Sequence, residues 1–191
     1  MPLPHIQNSA AGRNKWDPVF KAIFEQIITV PEAIREEFGK DEMLISEHVL
    51  NVSGLDGLLV APGVSQQKFM GTDRSYINPV NDQTHVEFEV TYSLNLRNRT
   101  DNYVLRFFRA WSKLGYDIST GARSLKVDYC APWMQFNVAN QAGDIHRQII
   151  LKDVMMNGPI SGLDSLDYTS NDASEITVKF VSDWFDDTDA K

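Results

Sequence analysis

The stretch His85–Gly115, HVEFEVTYSLNLRNRTDNYVLRFFRAWSKLG, sets two element types side by side. Val86, Phe88, Val90, Tyr92 and Leu94 alternate with His85, Glu87, Glu89, Thr91, Ser93 and Asn95. A period of two places the apolar set on one face, which predicts a strand with one dry side and one wet side. The turn RNRTD follows, and Thr100, Asp101 or Asn102 caps a helix. On that helix Val104, Phe107, Phe108, Trp111 and Leu114 fall on one stripe, and Gly115 ends it. Burial of the stripe contributes several kcal/mol, at roughly 1.5–3 kcal/mol per large apolar side chain. An aromatic stripe at this spacing is expected in the core rather than around a ligand.

On the carboxyl-terminal side, Met134, Phe136 and Val138 alternate with Gln135, Asn137 and Ala139. Asn140-Gln141-Ala142-Gly143 makes a turn. Ile145, Ile149 and Leu151 then share a face opposite His146, Gln148, Ile150 and Lys152, which predicts a β-hairpin. Met155–Leu166 reads as a loop around Asn157-Gly158-Pro159. In EITVKFVSDWF, Ile176, Val178, Phe180, Ser182 and Trp184 alternate with Thr177, Lys179, Val181, Asp183 and Phe185.

On the amino-terminal side, residues 1–15 read as an extended arm. Trp16–Val30 is ambiguous: Phe20, Ile23, Phe24 and Ile27 fit a helical face. Phe20, Ala22, Phe24, Ile28 and Val30 fit a strand face with Gln26 as the exception, and the β-branched run 27–30 favours the strand. PEAIREEFGK carries short-helix signals, and MLISEHVLNVSGL reads as a β-type run. Residues 54–72 read as an irregular loop, yet they carry Leu58, Leu59, Val60, Val64 and Phe69. An apolar loop is either tucked onto its own core or waits for another subunit. The total is six or seven strands and one substantial helix. That predicts a mostly-β (α+β) domain, an antiparallel β-sandwich or barrel with one packed helix.

The 191 residues suffice for one core or two small ones. No apolar run approaches a membrane span, and residues 1–12 lack the pattern of a signal peptide. The net charge is −8, and Asp164–Lys191 alone carries −6. That acidity argues against duplex binding through a basic groove. The acidic end is either a solvated run, or a surface that repels polyanions or holds a basic partner. Calcium binding by Asp183, Asp186, Asp187 and Asp189 is the weakest alternative, because the spacing and turn glycine of an EF-hand are missing.

No phosphate loop or GxSxG elbow is present, and His5, His48, His85 and His146 are scattered. Glu87 and Glu89 share a strand face and are expected to be solvated. A single cysteine, Cys130, excludes an internal disulfide framework and reads as a small buried hydrophobe. These residues imply no catalytic group, no metal site and no cofactor, hence no enzyme.

The last forty residues, RQIILKDVMMNGPISGLDSLDYTSNDASEITVKFVSDWFDD, resemble the end of tail tube proteins from contractile-tailed bacteriophages. The matching pieces are the strand Ile149–Val154, the loop at Pro159, Ile160–Asp164, and the last strand Glu175–Phe185. WDPVFKAIFEQIITVPEAI and KFMGTDRSYINPVNDQTHVEFEVTYSLNLRN fit the same order, so the resemblance runs from about Trp16 to Asp187. It implies an arm (1–15), a tube-like β domain (16–187) and an acidic end (188–191). The insert PEAIREEFGKDEM and the arm are extra, and fit a baseplate-proximal homologue or a decoration of the tube.

What the resemblance implies is a structural subunit of hexameric rings that stack head to tail into a hollow tube inside a contractile sheath. Such a tube belongs to the virion and is assembled in the host bacterial cytoplasm. Its partners are its own copies, the sheath, the baseplate and tail-terminator proteins, and a tape-measure protein or DNA passing through the bore. Membrane insertion by this chain is not implied. Alternatives are a baseplate-proximal initiator, or the inner tube of an injection or type VI-like system that carries protein effectors. In this frame Leu58, Leu59, Val60, Val64 and Phe69 are expected at contacts between subunits or rings. Glu87, Glu89 and Asp153 are expected to face the bore.

Overall fold

The computed structural model describes residues 23–40, 45–55, 58, 64–69, 72–77, 85–96, 101–116, 121–140, 142–162 and 173–189. The amino-terminal arm, Trp16, Phe20 and Ala22 lie outside them. Eight strands are β1 (Phe24–Ile28), β2 (Val49–Ser53), β3 (Val64–Phe69), β4 (Thr72–Ile77), β5 (Val86–Ser93), β6 (Ala131–Ala139), β7 (Ile145–Met156) and β8 (Glu175–Asp189). Three α-helices are α1 (Arg35–Phe38), α2 (Tyr103–Ser112) and α3 (Lys126–Tyr129). Six strands form one antiparallel sheet in the order β1-β6-β7-β8-β5-β2, and β3 and β4 pair separately. The fold is thus mostly β, antiparallel, with one substantial helix.

β5 follows its sequence pattern: Val86, Phe88, Val90 and Tyr92 are buried, and the residues between them are not. α2 covers this dry face. The Asn102 side chain accepts the Leu105 N–H at 3.1 Å, so Asn102 is the cap among the three candidates. Val104, Phe107, Phe108 and Trp111 are buried, while Leu114, past the helix end, packs partly on the core. Phe180 of β8 joins the two layers. Its ring lies 5.3 Å from Phe88, 5.6 Å from Trp111 and 6.3 Å from Phe108.

The sheet curls strongly. Four strand steps separate β1 from β5, yet Gln26 on β1 exchanges hydrogen bonds of 3.1 Å with the Tyr92 hydroxyl on β5. Gln26 is therefore no exception to the strand pattern: it points inward with Ile28 and is as buried as its apolar neighbours. A buried amide is tolerated because its polar atoms are paired. Burial also raises the Tyr92 hydroxyl pKa strongly. Gln26→Leu is expected to cost about 1–3 kcal/mol, because it leaves the Tyr92 hydroxyl buried without its partner. Tyr92→Phe combined with Gln26→Leu should recover part of that loss in urea unfolding; additive losses would refute the pairing.

Four sequence expectations change. In the run MLISEHVLNVSGL, Ile45 and Ser46 are helical, and among the described residues only Val49–Ser53 is strand. Residues 64–69 are not loop but β3, which pairs antiparallel with β4. Trp184 does not continue the dry face of β8: it is exposed, and Phe185 packs on the core instead. The acidic end is no free tail up to Asp189, because β8 runs that far alongside β7.

A paired kink explains the change of face at Trp184. Asp153 takes a positive φ of 52°, which shifts the inward phase of β7 from Leu151 to Val154. β8 shifts at the same level, from Ser182 to Phe185. The buried Ser182 hydroxyl lies 2.9 Å from the Lys152 carbonyl and 2.7 Å from the Trp184 carbonyl, so it satisfies backbone that the kink frees. The loop after β7 closes onto β8 through reciprocal 3.0 Å bonds between Ser161 and Thr177. Gly162 permits this: its φ is 97°, and a Cβ there would sit 2.4 Å from the Glu175 carbonyl oxygen.

Candidate assembly surfaces

β1 and β2 are the two outer strands of the main sheet. On β1 the Ile23 carbonyl accepts from Ala139 N–H and Thr29 N–H donates to the Trp133 carbonyl, each at 3.1 Å. Backbone groups alternate sides along a strand, so odd residues bond β6 and even ones (Phe24, Gln26, Ile28) turn toward the edge that no described strand pairs. An open edge is a template for another strand.

The β3–β4 hairpin is the second surface. Neither strand joins the main sheet. Val64 (62 % exposed) and Tyr76 (47 %) stand on its opposite faces, as the register Ser65↔Tyr76 and Val64↔Ile77 requires. The sequence-predicted contact set is split by the structure. Val64 and Phe69 are the first and last residues of β3. Leu58 is buried in the subunit's own core, which removes it from the contact set. Leu59 and Val60 lie outside the described residues.

Glu87 and Glu89 line a shallow groove of about 360 Å³ with Ser53, Gly54, Asn157 and Lys179, open to solvent. Lys179 Nζ sits 2.9 Å from Glu89 Oε1, and this bond holds the ammonium above its ordinary pKa. Asp153 is not in that groove. It lines another with Lys126, Val127, Cys130 and Pro132, beside the Lys126–Asp183 ion pair. The Asp187 carboxylate is held by Arg147 through two bonds of 2.8 and 2.6 Å. Asp183 and Asp187 thus each face a cation rather than converging on one point.

Cys130 is buried, and burial pushes its thiol up to about 11. The unfolded thiol ionises first, so this group's contribution to stability is complete below about pH 8.5 and is lost as pH rises toward 11. Alkylation by iodoacetamide at pH 8 is expected to be at least tenfold slower in the native chain than in urea. Equal rates would refute the burial argument.

One group is assembled only by the pairing of strands. Trp133 is paired with Lys152, and Lys152 with Trp184, so the three form one row across β6, β7 and β8. Lys152 Nζ lies 4.4 Å from the Trp184 ring centroid. The only local signal was the adjacent pair Trp184-Phe185, which strict alternation cannot place on one face.

A chain of the sheath–tube complex of an extracellular contractile injection system matches with a TM-score of 0.58 and 12 % identity, covering 95 % of this chain and 97 % of that one. The fold is of the tail-tube type. A chain of the anti-feeding prophage tube-terminating cap shares this tail-tube-type fold at 0.58 and 12 % identity (92 % and 93 % covered). So does one from the sheath/tube terminator of the contractile injection system, at 0.55 and 12 % (91 % and 99 %). No protein-family model and no curated protein matches the sequence.

Proposed function

We propose that this chain is a structural subunit of the inner tube of a contractile tail, built from hexameric rings stacked head to tail. The observation that carries the proposal is the end-to-end likeness to a chain of a sheath–tube complex. Two open sheet edges support it, because a ring that joins them removes both. The hairpin supplies a contact between subunits or rings through Val64, with Leu59, Val60 and Phe69 as further contact residues. Glu87 and Glu89 face the bore, where like charge keeps a polyanion from adhering. Asp153, grouped with Lys126, takes less part in that lining.

In this proposal the sheath, the baseplate and the terminator are partners, and the assembly forms in the host cytoplasm as part of a phage virion that delivers DNA. An injection system that carries protein effectors uses the same subunit design. A second proposal has its own support: a chain of the tube-terminating cap matches as well as the sheath–tube chain, and in this reading the present chain closes into one ring that does not stack. Negative-stain microscopy and sedimentation velocity of the purified chain distinguish them. Rings with six-fold views that grow into tubes support the tube subunit, and rings that never stack support the cap. A solitary particle at high concentration refutes both.

A further inference from the structure

We infer that the row Trp133–Lys152–Trp184 is a docking pad for the β3–β4 hairpin of a second copy of this chain; the inference rests on the self-assembly proposed above. Ten large hydrophobic residues are exposed among those described, and six of them gather at two places. Four are at the pad: Trp133 and Trp184 in the row, and Leu125 and Val127 on either side of Lys126. Lys126 ties that segment to Asp183 of β8, so the four belong to one region. The other two are Val64 and Tyr76 on opposite faces of the hairpin, and Tyr76 is the one whose face meets the pad. Exposed tryptophans at this density mark protein contacts, where aromatic anchors dominate the energy.

Charge selects the hairpin as occupant. Residues 64–77 carry Lys68 and Arg74 against Asp73, a net +1 within a chain of −8. The pad end carries Asp153, Asp183, Asp186, Asp187 and Asp189 against Lys126, Arg147 and Lys152, a net −2. Arg74 and Tyr76 are two apart on β4 and so share a face, which brings a cation and an aromatic ring together toward two indoles and a carboxylate-rich rim. Position agrees as well. β8 has 15 residues and spans about 50 Å, and Trp184 lies about 16 Å beyond Lys179 of the acidic groove, toward the strand's far end. A pad at the end of the long strand meets the next copy without covering the groove. The contact joins unlike surfaces, so it propagates head to tail.

The test is cross-linking of the full chain carrying Cys130→Ala, with Ser65→Cys beside Tyr76 and Val127→Cys at the pad. These positions leave Tyr76, Trp133 and Trp184 intact. A short bis-maleimide should yield a ladder of linked multimers, at least tenfold above a control with Gln66→Cys, on the opposite hairpin face, in place of Ser65→Cys. Particles that form but link no better than the control overturn the pad and leave the tube proposal standing. Absence of particles from the unaltered chain overturns both. As a second measurement, Trp133→Ala with Trp184→Ala should raise the concentration at which particles form at least tenfold with an unchanged circular dichroism spectrum. An unchanged threshold overturns the pad.

Discussion

Phe24→Pro is expected to give a folded subunit that no longer closes into the proposed rings. Proline removes one N–H and adds a ring in its place. At position 24 that N–H faces the open edge of β1 rather than β6, since Ile23 and Thr29 make the outermost bonds to β6. Proline at an edge strand's outer position is tolerated within the subunit. A neighbouring strand loses a hydrogen bond and meets a steric block, and a closed ring repeats the defect at every interface. Sedimentation velocity should show at least a tenfold loss of assembled species with the circular dichroism spectrum retained. Ile27→Pro is the contrast, because residue 27 bonds β6, so it should unfold the strand and cost about 3 kcal/mol or more. Normal rings from Phe24→Pro would exclude β1 as a closing edge.

Phe180→Ala is expected to destabilise the subunit by about 3–5 kcal/mol. Phe180 is fully buried and touches Phe88 on β5 and both Phe108 and Trp111 on α2. Its removal opens a cavity between helix and sheet that neither rigid layer can collapse to fill. For a domain of this size the loss lowers the thermal midpoint by about 6–20 °C. Trp184→Ala, four residues along the same strand and exposed, should stay within about 0.5 kcal/mol of the parent. Similar midpoints for the two variants would refute the assignment of Phe180 to the helix–sheet junction.

Legibility followed sequence distance. β5 and α2 were readable because their burial pattern repeats every two residues or every three to four, and each turn of the pattern is decided by neighbours a few positions away. The β6–β7 hairpin was readable for the same reason, since Asn140 organises its own turn by accepting the Ala142 and Asp144 N–H groups. The hairpin of β3 and β4 was hidden under glycine and a polar composition. All of its described side chains are exposed, so they show no alternation of the kind that marks a half-buried strand. Val64 stands out in the sequence by its apolar character alone, since nothing local marks the strand that carries it. The Trp133–Lys152–Trp184 row was invisible because its members are 19 and 32 residues apart in sequence and adjacent only through cross-strand register.

By itself, the sequence determined the class of fold, the inward face of β5, the aromatic stripe of α2 and the acidic balance, all of which are local or compositional. The tertiary structure alone decided the rest. It turned Gln26 inward by bringing Tyr92 to it across four strand steps. It swung Trp184 outward through a kink shared with Asp153 on another strand. It also paired Asp183 and Asp187 with Lys126 and Arg147, so part of the acidic end is neutralised. A side chain's face follows from its neighbours in sequence, but its partner follows from which strand the curled sheet lays beside it.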